Sequence, residues 1–313
     1  MTDTILQDRP ALTAEPATQI THVTQVSPAD FTYSHAGQSR FRRTVIRTVE
    51  KLSGQPMLRD MYFNWAKSGA AAKESLFDAA LRLLNLTPRI KGEHNLTLLP
   101  KTGGLLLVAN HPFGIVDGLT MGYLGMRLRG NVRIMTNSLL CRVPELDPHL
   151  LPVDFSGTPE ARKLTAETRR VANELLAAGK VVAIFPAGNV ATANAPLFGP
   201  ALDCSWHPFV GRLATLPGVT TLPIHFSGQN SRLFQMASHT SYPLRVALIF
   251  HETRRRMGGP VNLTIGEPIA AEQLRQLDRG QVAEFLRRRT IEMTTNPAVR
   301  TDEVFVWPKR VRW

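Results

Sequence analysis

The sequence is poor in cysteine, poor in aromatic residues and free of long apolar runs. Cysteines number 2 among 313 residues, Cys141 and Cys204. So few cannot build the disulfide framework of a small secreted domain, and the count fits a reducing compartment. No stretch approaches the roughly 18–20 apolar residues that a membrane-spanning helix requires. The N-terminus lacks the basic-then-apolar layout of a signal peptide. The expectation is a cytoplasmic chain that does not cross a bilayer but can lie on one. Acidic residues are scarce as well, with 25 Asp and Glu against 37 Lys and Arg and a net charge of +12. Such a chain favours acidic partners: nucleic acid, an anionic membrane or an acidic carrier protein. Nucleic acid is set aside, because the arginines are dispersed, aromatics are 7% and no zinc or RNA-binding signature appears. Gly-x-Ser-x-Gly is missing, which argues against a serine hydrolase. His-Glu-x-x-His and paired ligands at helical spacing are missing too, so no metal site is expected.

What is present is a hydrophobic content of 43%, enough for a sizeable core. Residues 1–38 are polar and aperiodic and read as a loose tail. From Arg40 the pattern turns helical, with Phe41, Val45, Ile46, Val49 and Leu52 placed on one face. Met57–Lys67 and Ala70–Leu86 read as further helices, and Pro88–Pro100 as a strand or extended entry. Past Pro100, strand and helix alternate. Leu105–Ala109, Val132–Thr136, Val181–Phe185, Thr220–Phe226 and Val261–Ile265 are strand candidates, with helices at Leu119–Leu128 and Glu160–Ala178. Gln281–Thr294 suggests a late arginine-rich helix. The fold class expected is α/β, a mostly parallel or mixed central sheet flanked by helices, with an N-terminal helical extension. The expected organisation is a tail over 1–38, a helical membrane-docking segment over 39–95, an α/β domain over 96–300 and a basic aromatic tail over 301–313. That last tail mixes Trp307 and Trp313 with Lys309, Arg310 and Arg312.

Four blocks carry chemistry. In "LLLVANHPFGIVDG" a buried strand ends at Asn110 and His111, turns through Pro112 and Gly114, and reaches Asp117. Ligands in α/β sheets gather beyond the carboxyl ends of strands. There a carboxylate that holds one imidazole nitrogen leaves the other free as a base. Taken alone, two cap residues and a turn histidine account for the pattern better. In "VVAIFPAGNVAT" a second strand runs into Phe185, Pro186 and Gly188, a sharp turn whose amides can face a ligand. "MTNSLLCRVPEL" places Arg142 after a strand. "VTTLPIHFSGQNSRLF" is a strand with an internal proline, which by itself suggests an edge strand.

In this order and spacing, the blocks resemble the glycerolipid acyltransferase superfamily, most closely its hemolysin-like and lyso-ornithine-lipid O-acyltransferase branch. That branch writes Asn-His-Pro-x-Gly-x-x-Asp-Gly and Phe-Pro-Ala-Gly, as here, and "GEPI" at Gly266–Ile269 matches the family's closing strand. The resemblance implies that His111 is the general base and Asp117 its orienting partner. It makes Asn110, Gly114, Arg142, Phe185, Pro186, Gly188 and Asn189 substrate-binding residues. It implies no cofactor, with acyl-ACP or acyl-CoA as co-substrate, and inner-membrane lipids as partners of a peripheral protein. The implied reaction is O-acyl transfer to a lyso-lipid. Where the lysophosphatidic enzymes have Thr-Arg-Ser, this chain has Asn189-Val190-Ala191. Loss of a bidentate phosphate partner favours a lyso-aminolipid, of the ornithine-lipid type, over lysophosphatidic acid. The alternatives are lysophosphatidic acid itself as acceptor, or a lipid-binding relative without catalysis.

Overall fold

The structure is a computed structural model. It describes residues 39–69, 73–137, 145–154, 158–278 and 280–308, together with Thr32, Ser34 and Val311. The rest of the expected N-terminal tail, the start of the helix expected from Ala70, Arg142 and Trp313 lie outside these residues.

Three helices open the described chain: α1 (Arg40–Ser53), α2 (Gln55–Lys67) and α3 (Leu76–Leu83). The strand expected near residue 88 is β1 (Thr87–Lys91), followed by a 3-10 turn over Glu93–Leu98. Alternation then begins with β2 (Gly104–Ala109), α4 (Ile115–Arg129), β3 (Arg133–Asn137), β4 (Leu150–Val153), α5 (Pro159–Ala177) and β5 (Val181–Ile184). A small hairpin of β6 (Thr192–Ala193) and β7 (Ala201–Leu202) precedes α6 (Phe209–Ala214) and β8 (Val219–Phe226). Next come α7 (Arg232–Thr240), α8 (Tyr242–Ala247), α9 (Ile249–Arg256), β9 (Pro260–Ile265), β10 (Ile269–Ala270), α10 (Ala271–Leu274) and α11 (Val282–Ile291).

The central sheet runs in the order β1-β9-β8-β2-β5-β3-β4, with β10 also paired to β8. Its pairings are parallel except β8 with β9 and with β10, so the sheet is mixed and mostly parallel, as expected. Both faces are covered: every residue of β2, β5 and β8 is buried, and β2 and β5 read as continuous apolar runs. The period of two divides them. Leu105, Leu107, Val181, Ala183, Leu222 and Ile224 pack with Phe77 of α3 and Val116, Met121 and Leu124 of α4. Leu106, Val108, Val182 and Ile184 pack on the other side with α5, α6 and α11.

Two expectations need correction. The helix expected over Leu119–Leu128 begins earlier, at Ile115, so Asp117 lies inside its first turn rather than before it. The proline-bearing strand is not an edge. Pro223 sits in β8 between the stretch paired with β10, Thr220 and Thr221, and the stretch paired with β9, Ile224–Phe226. The gap between those two ladders is where a residue without an N–H is tolerated. The apolar residues of α1 occupy one side of the helix, as expected, but not one environment. Ile46 is buried against the body, whereas Phe41 and Leu52 are 80% and 75% exposed and Val45 is exposed with them. The inward face also carries Glu50, which accepts from the Thr32 hydroxyl at 2.6 Å, and Ser53, bonded to the Ala247 carbonyl at 3.3 Å. Helix α1 is therefore seated on α8 through a partly polar face and leaves an apolar stripe outside.

The seat of α4 depends on a missing side chain. A Cβ at Gly122 would lie 2.1 Å from the Phe77 ring. Gly122→Ala is expected to lower stability by about 1–3 kcal/mol, because the buried ring has to shift. Urea unfolding of Gly122→Ala with and without Phe77→Leu checks the cause, since the smaller side chain should recover part of the loss.

Candidate active site

Strands β5, β2 and β8 lie side by side in parallel, with Val108 opposite Ile184 and Ala109 opposite Ile224. Their carboxyl ends therefore bring Asn110-His111, Phe185-Pro186 and Phe226 to one edge of the sheet. Four holds then fix His111. Its backbone N–H donates to Asp203 Oδ1 at 3.2 Å. Its carbonyl accepts from the Ala191 N–H at 2.7 Å. Its ring stacks on Phe185, with centroids 4.0 Å apart and planes 23° apart. Its Nδ1 lies 3.0 Å from Asp117 Oδ2. Since a carboxylate only accepts, Nδ1 carries the proton and Nε2 presents a lone pair. The His111 side chain keeps 17% of its surface open, while Asp117 is fully buried.

The local sequence explains the pair. Gly114 has φ 84° and ψ −113°, a conformation open to glycine and strained for other residues. It folds the chain back so that Asp117 Oδ2 also accepts from the N–H groups of Phe113 at 2.7 Å and Gly114 at 3.0 Å. One oxygen thus caps the start of α4 and holds the imidazole, and a helix N-terminus favours that negative charge. The Arg256 guanidinium lies 3.3 Å from the centre of the Phe113 ring and donates to the Gln229 carbonyl at 2.9 Å. Arg256 Nε and Asp117 Oδ1 are both buried without a hydrogen-bond partner. Burial lowers the pKa of Arg256, and the charge of Asp117 works against that.

The other expected residues divide. Gly188 takes φ 68° in the turn after β5, and its N–H returns to the Phe185 carbonyl at 2.9 Å. The Pro186 carbonyl accepts from the His207 N–H at 2.9 Å. Asn189 is half-buried beside them. Asn110 is committed to the framework: its Nδ2 donates to the Phe226 carbonyl at 2.9 Å and its Oδ1 accepts the Phe226 N–H at 2.7 Å. The Val190 side chain packs with the apolar group of Phe234, Leu248 and Ile249 and faces the α-carbon of Gly114. A cavity of about 390 Å³ adjoins the turn, with Asn110, Pro112, Ala191, Phe198, His225 and Arg232 among its lining residues. Burial pushes His225 down to about 4, which leaves it neutral near pH 7.

Two residues were not found by reading the sequence. Asp203 is buried, and Trp206 Nε1 donates to its Oδ2 at 2.9 Å. Burial pushes its carboxyl up to about 6, while the Trp206 and His111 hydrogen bonds act in the opposite direction. Arg245, only 3% exposed, holds the loop after Gly188: Nη1 donates to Thr192 Oγ1 at 2.6 Å and Nη2 to the Val190 carbonyl. Neither residue sits in a motif with recognisable spacing, so only the fold shows what it touches. Among the described residues, no group of three or more His, Cys, Asp and Glu could hold a metal ion. No helix among them is long and apolar enough to cross a membrane.

A histidine–carboxylate pair thus lies at the carboxyl ends of the strands, beside a proline-glycine turn that is followed by Ala191, whose N–H holds the histidine carbonyl. The chain belongs to the acyltransferase family, which it matches over residues 70–296. It is an acyltransferase. Within that family it is similar to the lyso-glycine lipid O-acyltransferase of Phocaeicola vulgatus, with 28% identity over 199 residues, covering 61% of this chain and 67% of that protein. It is similar also to the lyso-glycine lipid O-acyltransferase of Bacteroides thetaiotaomicron, with 26% identity over 199 residues, 61% of this chain and 69% of that protein.

Asn110→Ala leaves the buried N–H and carbonyl of Phe226 unpaired, each at a cost of about 1–3 kcal/mol. The variant is expected to unfold at a lower urea concentration than the wild type. An unchanged midpoint would show that the clamp between β2 and β8 contributes nothing.

Proposed function

We propose that this acyltransferase moves an acyl chain from a thioester, acyl-ACP or acyl-CoA, to the hydroxyl of a lyso-aminolipid. The observation that carries this reading is the His111 Nδ1–Asp117 Oδ2 hydrogen bond of 3.0 Å, made by a ring that keeps an open edge. His111 Nε2 takes the proton of the acceptor hydroxyl as its oxygen attacks the thioester carbonyl carbon. The C–O bond forms and the C–S bond breaks. The departing thiolate takes the proton back from the imidazolium, so no covalent enzyme intermediate is required. Asp117 holds the ring and stabilises its charged form. The N–H groups of Ala187, Asn189 and Val190 in the turn after β5 are the donors assigned to the developing oxyanion, which such preorganised amides stabilise strongly.

The acceptor assignment draws support from two directions. Both similar proteins are named for a lyso-glycine lipid. Val190 also stands where the lysophosphatidic enzymes carry the phosphate-binding arginine. Glycine and ornithine head groups are thus the first acceptors to compare. The bilayer that presents them is met through α1, whose outer side combines Phe41, Val45 and Leu52 with basic residues. We assign the protein to the anionic inner face of the cell membrane, as a peripheral enzyme.

His111→Ala should remove activity by about 10²–10⁴-fold, the contribution of a positioned base, with the fold retained. The assay pairs a labelled acyl thioester with lyso-glycine lipid, lyso-ornithine lipid and lysophosphatidic acid in mixed micelles. Near-wild-type turnover in His111→Ala overturns the base, and faster acylation of lysophosphatidic acid overturns the acceptor. In a separate sedimentation test, the wild type should bind anionic vesicles and be released by salt, since screening weakens exposed charge attraction. Phe41→Ser with Leu52→Ser should bind less. Binding that neither salt nor these substitutions reduce would exclude α1 as the dock.

A further inference from the structure

Arg245 is a buried cation beside the turn that follows β5. It is 3% exposed, and its guanidinium lies 4.7 Å from the Phe234 ring centre and 5.0 Å from that of Trp307. Its donors go to neutral acceptors: Thr192 Oγ1, Ser238 Oγ and the Val190 carbonyl. No carboxylate pairs with it among the described residues. Arg287 is the contrast. It is equally buried, but both Nε and Nη2 reach the Glu284 carboxylate at 2.8 Å. Burying an unpaired cation is costly, and a core without function would have paired it or replaced it with an apolar side chain.

The place of this charge gives it a use. The segment that Arg245 holds, Val190 to Thr192, includes Ala191, whose N–H is bonded to the His111 carbonyl. The fixed charge therefore lies under the strip of backbone that borders the base. This is also the strip in which Val190 stands for the motif arginine. We propose that Arg245 is a specificity-determining residue that supplies, from α8 and without contact, the positive potential that selects an anionic acceptor head group. This rests on the acyl-transfer reading above and adds to it a preference for a carboxylate-bearing lyso-lipid over its uncharged analogue. Two unit charges about 8 Å apart at an effective dielectric of about 20 change an affinity by roughly thirtyfold, so a buried charge acts without touching the ligand. The aromatic rings on the guanidinium and its hydrogen bonds to the loop keep the charge in position.

The test compares N-(3-hydroxypalmitoyl)glycine with its methyl ester, in the same micelles and with one acyl thioester. Wild-type KM should favour the carboxylate by about tenfold or more. Arg245→Met should bring the KM ratio close to one. Arg245→Lys should keep most of the ratio even where kcat falls for both acceptors, since it retains charge but loses the forked geometry. Ser238→Asp provides a second route that leaves Arg245 in place: an anion beside the guanidinium should also collapse the ratio. If Arg245→Met and Ser238→Asp lower kcat or stability equally for both acceptors and preserve the ratio, Arg245 is only a brace for the loop and the proposal fails. Should the wild type acylate neither glycine compound, the aminolipid reading fails on its own. The same ratio is then read between lysophosphatidic acid and monoacylglycerol, where the proposal makes the same demand.

Discussion

A carboxylate with no solvent exposure has to be satisfied from within, and the turn after β2 is built around meeting that demand for Asp117. Its Oδ2 receives the His111 ring and the N–H groups of Phe113 and Gly114. Those bonds require the chain to double back within a few residues, which Gly114 permits through its positive φ. They also start α4 at Ile115 with the anion in its first turn. Helix start, imidazole orientation and turn geometry are one arrangement, so disturbing any of them disturbs the others.

That arrangement is useful because of where β2 lies. Its neighbours β5 and β8 come from distant parts of the chain and run parallel to it, so their ends deliver Phe185 and Phe226 beside His111. Phe185 stacks on the imidazole, and Phe226 is clamped to Asn110. Asp203 and the Ala191 N–H secure the main chain of His111 from both sides. An imidazole held at its amide, its carbonyl and its ring has little freedom left to lose, which is what positioning requires for the base role proposed for His111.

The excess positive charge serves at two depths. On the surface, basic residues flank the exposed Phe41 and Leu52 of α1. In the interior, Arg287 is neutralised by Glu284, whereas Arg256 lies on the Phe113 ring and Arg245 has only neutral partners among the described residues. Surface charges act through a screening solvent. The buried ones act through low-dielectric protein, where position counts for more than number.

By itself the sequence determined the alternation of strands and helices, because apolar runs bounded by turn residues leave few other foldings. It also marked His111 and Asp117, through a strand that ends in an imidazole and a carboxylate six residues later. The helix N-terminus was misjudged by four residues because the capping role of Asp117 depends on the conformation of Gly114. The apolar side of α1 was legible too, but periodicity marks apolar positions without saying which of them meet the body, and the seat on α8 takes Ile46, Glu50 and Ser53 and leaves Phe41 outside. Only the tertiary structure decided that Pro223 lies inside the sheet, that Asn110 serves the strand ends, that Asp203 holds the amide of His111 and that Arg245 holds the loop after Gly188. The hydrogen bonds that join Asn110 to Phe226, Asp203 to His111 and Arg245 to Thr192 span 53 to 116 positions of the chain. Local pattern carries no information about such pairings, since it is strand order and register that bring their ends together.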